Sequence, residues 1–155
     1  SIDMVSFKKV ESLRTFLDFR FNRRLPSIHC LRALRTRSSL LSPLKDLTHL
    51  RYLNLRGPSA TRLPNFICGL KKLQILKLEN VWSLPKDLTR LQDLRHLVMY
   101  RCSSIAEMPL NIGKLSHLRT LSTFVVGPKS GYGLAELHDF KLGGKLHIKG
   151  LENVP

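Results

Sequence analysis

The sequence predicts an α/β solenoid: an open curved coil with a parallel sheet on its concave side and irregular or short helical segments on its convex side. Three observations lead there. In the stretch GLKKLQILKLEN, leucines fall at Leu70, Leu73, Leu76 and Leu78, spaced three, three and two. A helix would place apolar residues at i, i+3, i+4 and i+7, and a half-buried strand at every second residue, so no single element uses this rhythm. The same grid recurs along the chain, and a second apolar-proline signal precedes several of its occurrences.

The grid fits LTHLRYLNL from Leu47, LQDLRHLVM from Leu91 and LSHLRTLST from Leu115. It fits more loosely at VESLRTFLD from Val10, IHCLRALRT from Ile28 and FKLGGKLHI from Phe140. Seven starts, near 10, 28, 47, 70, 91, 115 and 140, are thus separated by 18 to 25 residues. The second signal reads LPNFICGL from Leu63, LPKDLTRL from Leu84 and MPLNIGKL from Met108, while Leu40 and Leu44 keep its apolar positions without proline. A period of about 20–25 residues with this pattern is the leucine-rich-repeat signature.

Each part of the unit has a physical role. The last two apolar residues, such as Leu53 and Leu55, alternate with polar ones and predict a short strand with those leucines inward. The earlier two, such as Leu47 and Leu50, bring the chain in from the opposite wall. The Leu-Pro pair supplies a stiff return with a fixed φ. One unit cannot bury its own leucines, whereas stacked units share a continuous core and a parallel sheet. The 155 residues, 43% hydrophobic, suffice for one elongated leucine-rich-repeat domain of about seven coils over 1–155.

No apolar run reaches the roughly 18 residues of a membrane span. The cysteines Cys30, Cys68 and Cys102 share no column and are odd in number, which predicts reduced, buried thiols rather than a disulfide framework. No Asn-x-Ser/Thr sequon occurs, which disfavours a glycosylated ectodomain. Neither end reads as a capping unit. Leu146, Ile148, Leu151 and Val154 call for a following coil, so the chain is expected to be a piece of a longer protein.

LPSIHCLRALRTRS, LTHLRYLNLRG, LPNFICGLKKLQILKLENVWSLPKDLTRLQDLRHL and MPLNIGKLSHLRTLSTFVVGPKSGYGLAELHDFKLGGKLHIKGLENV resemble the N-terminal leucine-rich repeats of plant intracellular immune receptors. The nearest class is the coiled-coil, nucleotide-binding, leucine-rich-repeat disease resistance proteins, and LRTLSTFVVG…GLAELHDF…LGGKLHIKGLENV is the most specific part. The resemblance implies a role in autoinhibition and pathogen recognition. It implies a cytoplasmic location, with the nucleus and the inner plasma-membrane surface as further sites. It also implies ATP/ADP exchange in an upstream domain, with no cofactor in this segment. The implied partners are that nucleotide-binding domain within the same receptor and a pathogen effector or host guard protein. Many such repeats place Asn or Cys eleven residues after the start. Here only Cys102 does so, against Phe21, Ser39, Pro58, Val81, Val126 and Leu151, so irregular turns are expected.

Function should sit on the outward strand positions, taken as four, five, seven, nine and ten after each start, 35 in all. Thirteen are basic: Arg14, Arg20, Arg32, Arg35, Arg37, Arg51, Arg56, Lys77, Arg95, Arg101, Arg119, Lys145 and Lys149. Glu79 is the one acid among them. Half of the 26 Lys and Arg residues therefore fall there, against one of 11 Asp and Glu, which makes the asymmetry a property of this face. Stacking like charges in the column Arg14, Arg32, Arg51 costs up to about 1 kcal/mol per contact in water, less with salt. The bland alternative is a solvated surface, with arginine stems packed on neighbours and heads in water. With Tyr100, the face assigned to protein binding comprises Arg14, Arg32, Arg35, Arg37, Arg51, Arg56, Lys77, Arg95, Arg101 and Arg119. Its densest part is Arg32, Arg35, Arg37, Arg51 and Arg56.

Other chemistry finds little support. FVVGPKSGYGLAEL has the strand–loop–helix context of a phosphate cradle but lacks Gly-x-x-x-x-Gly-Lys-Ser/Thr, so it reads as an inter-repeat loop. His49 and His117 share a column but lie three coils, roughly 15 Å, apart, too far for one metal. No Gly-x-Ser-x-Gly or paired-acid constellation occurs, so the chain is not expected to be an enzyme. The net charge of +15 and pI near 10.4 raise nucleic-acid binding as the alternative to protein docking. The strand aromatics Phe19, Tyr52, Tyr100 and Phe124 are too scattered for a stacking platform, which ranks that alternative lower.

Overall fold

The computed structural model describes residues 14–19, 29–37 and 41–154, without the side chains of 16–19, 59 and 60. The repeat starts at Val10 and Ile28, the turn positions Phe21 and Ser39, Leu40 and Arg20 lie outside the described residues, as does the side chain of Phe19.

The three-three-two rhythm resolves into two kinds of hydrogen bond. Each spacing of three is closed by an N–H donating to the carbonyl three residues back: Ile67 to Pro64 (3.2 Å), Leu70 to Ile67 (3.0 Å) and Leu73 to Leu70 (2.9 Å). The same steps recur through Pro85, Leu88, Leu91 and Leu94 at 3.0–3.1 Å. A 3-10 turn has three residues per turn, so side chains three apart line up on one wall. Accordingly, the apolar-proline signals form 3-10 helices at Asn65–Gly69 and Lys86–Arg90, each capped by its proline. Ser42–Asp46 does the same with proline inside its first turn. In the third signal Asn111 takes a left-handed conformation (φ 55°) and the helix shortens to Ile112–Lys114.

The spacing of two is strand. Six strands, β1 (Thr15–Phe19), β2 (Ala33–Thr36), β3 (Tyr52–Arg62), β4 (Ile75–Ser83), β5 (His96–Tyr100) and β6 (Thr120–Leu121), form one parallel sheet in sequence order. Their register follows the grid: Thr15, Ala33, Tyr52, Ile75, His96 and Thr120, each five after a repeat start, pair in succession. Between strands and 3-10 helices runs one apolar core. Leu53, Leu55, Leu76, Leu78, Leu97 and Leu121 are at most 2% exposed, and Ile67, Leu88 and Ile112 back them from the convex wall. The architecture is an open leucine-rich-repeat solenoid with its parallel sheet on the concave face.

The expected irregular turns take a specific form. With Pro58 and Val81 at the eleventh position, β3 and β4 continue past the concave face and pair again at Thr61 with Val81 and Arg62 with Ser83. Where Cys102 holds that position, its thiol approaches the carbonyls of Tyr100 (3.3 Å) and Leu78 (3.8 Å). Left-handed residues mark both turns: Asn80 (φ 59°) inside β4, before it pairs again at Val81, and Arg101 (φ 51°) immediately after β5.

A larger departure occurs after Leu121. Ser122 leaves the sheet: its hydroxyl accepts from the Met99 N–H (2.7 Å) and donates to the Met99 carbonyl (3.2 Å). One extra residue shifts the side-chain phase, as a bulge does. Phe124, expected outward, is consequently fully buried, with Val125 and Val126 beside it. The chain continues as β7 (Thr123–Val125), which pairs with β8 (His147–Lys149) in a second parallel sheet. The Gly143 N–H donates to the Arg119 carbonyl (2.8 Å), so the last repeat engages one residue earlier than its grid start at Phe140.

Two stability predictions follow from this core. Leu76→Ala should cost about 2–5 kcal/mol as a buried cavity, read as a lower denaturant midpoint. Ser122→Ala leaves the Met99 N–H and carbonyl without their hydroxyl partner and should cost about 1–3 kcal/mol. A midpoint unchanged by the serine substitution would show that the bulge does not depend on the side chain.

Candidate protein-interaction face

The outward residues divide into two groups. Since positions +6 and +8 from each start point inward, alternation puts +5, +7 and +9 on the sheet face. Position +4 would alternate inward with +6, yet Arg14, Arg32, Arg51, Arg95 and Arg119 there are exposed, and each precedes the first strand residue. They therefore stand on the rim where the chain enters the sheet, not on the face expected from the sequence. Their backbones form one ladder. The Arg32 N–H donates to Arg14 O (2.8 Å), Arg51 to Arg32 (2.7 Å), Gln74 to Arg51 (2.8 Å), Arg95 to Gln74 (2.8 Å) and Arg119 to Arg95 (2.7 Å). Gln74 is thus the sixth member of the column and its single uncharged one. Among the described residues none of these five guanidiniums has a side-chain hydrogen bond or ion pair.

On the face itself, Arg35 pairs in register with Asn54, Asn54 with Lys77 and Lys77 with Val98. Lys77 sits over the Tyr52 ring at 6.0 Å, and the Asn54 amide donates to the Tyr52 hydroxyl at 3.4 Å. Arg56, Glu79 and Tyr100 follow one another across β3, β4 and β5. Glu79 is bracketed by Arg56 (3.3 Å) and Arg101 (4.0 Å), while Arg101 lies over the Tyr100 ring at 5.2 Å. With partly exposed arginines these pairs contribute at most about 1 kcal/mol each. Their consequence is orientational: the one acid of the face is already engaged by two arginines, so the face stays net positive. Arg37 lies just beyond β2 and is exposed. Tyr100 is 59% exposed.

The assigned residues are thereby gathered on two adjacent surfaces, the rim (Arg14, Arg32, Arg51, Arg95, Arg119) and the face (Arg35, Arg37, Arg56, Lys77, Tyr100, Arg101). Lys145 and Lys149 are set apart by the Ser122 bulge, and the Lys149 ammonium donates to the Ser103 carbonyl at 3.1 Å. Two features escaped the sequence reading. Gln74 interrupts the charge column. Trp82, 44% exposed and near the end of β4, and Leu110 line a cleft with Lys86, Glu107 and Tyr132. Trp82 lies beyond the strand grid, and only its size hinted at a surface role.

The cysteines also differ from expectation. Cys68 and Cys102 are buried, and burial pushes both thiols above their ordinary pKa, but Cys30 is exposed. A raised pKa means less thiolate at a given pH, and the thiolate is the nucleophile. Iodoacetamide at neutral pH should therefore label Cys30 first, with Cys68 and Cys102 reacting only on unfolding, as read by mass spectrometry.

The strand ladder and the 3-10 walls define a class of protein, the leucine-rich-repeat solenoid. The chain belongs to the leucine-rich repeat region family, whose model matches residues 3–149. It is 38% identical to the Arabidopsis thaliana protein At3g14460, named as a disease resistance protein, over 97% of this chain and 12% of that one. It is 34% identical to Disease resistance protein RGA5 of Oryza sativa subsp. japonica, over 72% of this chain and 10% of that one. The resemblance to plant disease resistance proteins thus extends along nearly the whole chain, which spans about a tenth of those relatives' length. Among solved structures, the Leptospira interrogans LRR protein LIC12759 aligns with a TM-score of 0.57 at 20% identity, covering 81% of this chain and 41% of that one, a likeness of fold alone. Among the described residues no helix is long and apolar enough to cross a membrane.

Proposed function

We propose that this domain is a protein-interaction module of a plant disease resistance receptor, docking its basic rim and face on an acidic protein surface. The observation that carries the reading is the column of five exposed arginines on six consecutive repeats, without side-chain partners among the described residues. Charge of one sign along a ladder steers acidic partners and raises encounter rates more than it adds affinity. The first candidate partner is the receptor's own nucleotide-binding domain. Two domains in one chain meet at high effective concentration, so weak contacts suffice to hold a resting state. A pathogen effector or host guard protein that favours the open form then shifts the population toward activation.

In this reading the domain contributes binding and no catalysis, and ATP/ADP belongs to the upstream domain. The receptor acts in the cytoplasm, where its host partners are met. Nucleic acid is the alternative that the net charge of +15 keeps in the test. The burial of Phe124 removes one of the aromatics a stacking surface would use.

Reversing charge at Arg32, Arg51 and Arg95 should weaken association with the nucleotide-binding domain about 10–100-fold at low salt, and flatten its salt dependence. The same triple should raise spontaneous signalling in the full receptor. Lys86→Glu with Arg90→Glu, on the convex 3-10 helix, should change neither. If the triple leaves both measurements where they were, or if the chain binds mixed-sequence RNA and not the domain, the docking reading fails.

A further inference from the structure

We infer that the arginine column is a track for one amphipathic α-helix, about four turns long, with carboxylates along one side. The inference rests on the docking reading above and specifies the shape of the acidic partner. Because the column's backbone is hydrogen-bonded strand to strand without a break, its members repeat at the parallel-strand spacing of roughly 4.8 Å. The five intervals from Arg14 to Arg119 then cover about 24 Å.

A helix rises about 1.5 Å per residue, so carboxylates three or four residues apart follow one another at about 4.5–6 Å. A one-face stripe using both spacings averages about 5.4 Å per step, so it drifts from the column by only about 0.6 Å per repeat, roughly 3 Å over the whole column. Same-face side chains of an extended strand recur every 6.4–6.8 Å or so and fall out of step by the second pair. Phosphates along one duplex strand rise about 3.4 Å per step while winding around the axis, so they leave the line of the column within a few steps.

Position reinforces period. The column stands on the rim at the strand entrances, so a cylinder about 10–12 Å across can lie along it without entering the concavity. Guanidiniums there are exposed and have no side-chain partner among the described residues, which leaves their planar forks available to carboxylates. Gln74 sets a finer requirement. It divides the charges into Arg14, Arg32 and Arg51 on one side and Arg95 and Arg119 on the other. The helix should carry a neutral polar residue opposite the amide, with carboxylates toward both ends.

The test uses the 155-residue chain and labelled probes, read by fluorescence anisotropy at low and high salt. The first probe is a stapled helical peptide of about 18 residues with a glutamate stripe. The others are a stapled isomer with the same glutamates spread around the helix, an alternating acidic strand peptide, and a mixed-sequence single-stranded RNA. The striped helix should bind about tenfold tighter than its scrambled isomer. Gln74→Arg should tighten that binding and Gln74→Glu weaken it, while Arg51→Glu with Arg95→Glu should abolish it. Equal affinity for striped and scrambled helices, or tighter binding of the strand peptide or RNA, overturns the helix. If charge reversal still weakens association with the nucleotide-binding domain in that case, the docking reading survives without it.

Discussion

The structure depends on a dependence between neighbours: no repeat can bury its own leucines. Leu70 and Leu73 are carried on 3-10 steps and Leu76 and Leu78 on a strand, and their burial is complete only because equivalent residues stand one repeat away on either side. Stability in such a solenoid is a sum of weak units and nearest-neighbour interfaces. That explains why the rhythm is repeated so closely where the core is regular, and why the first sheet ends where the rhythm breaks at Ser122. In that repeat the inward pair is Leu121 and Thr123 rather than two leucines, and Phe124 fills the interior from a shifted phase.

The same dependence organises the surface. A side chain that need not reach the core is free in identity, but its position is copied by the ladder beneath it. Arginines placed before five of the six strands of the first sheet become, through five backbone hydrogen bonds, a stripe of like charge interrupted at Gln74. The repulsion within the stripe is about 1 kcal/mol per pair or less, small beside the burial of the leucines that fix its spacing. The fold can therefore carry an unneutralised row, whereas on the sheet face Glu79 is already held between Arg56 and Arg101.

What was legible in the sequence follows from what leaves a period. The inward leucines recur because each repeat meets the same neighbours, so strand register and core are legible in the leucine spacing alone. The arginine column was legible too, though its place was misjudged. Counting outward positions could not distinguish the sheet face from its rim, because that depends on where strand geometry begins. Phe124 was misplaced for a local reason. A one-residue bulge reverses the phase, and nothing in Leu121-Ser122-Thr123 marks it except a hydroxyl able to replace a backbone partner. The double engagement of Glu79 arises from contacts across repeats, and Arg101, which reaches it, is a left-handed residue that no pattern foretold.

The central claim, that the rim and not the convex wall meets an acidic partner, can be tested by zero-length carbodiimide coupling, which joins only amines and carboxylates in contact. Arg51→Lys and Arg95→Lys place coupling amines in the column without altering its charge, and Lys86 serves as the convex reference. With the nucleotide-binding domain present, cross-links should form from positions 51 and 95 to aspartates or glutamates of that domain, and not from Lys86. Cross-links confined to Lys86, or none from the column in a complex that demonstrably forms, would contradict the account.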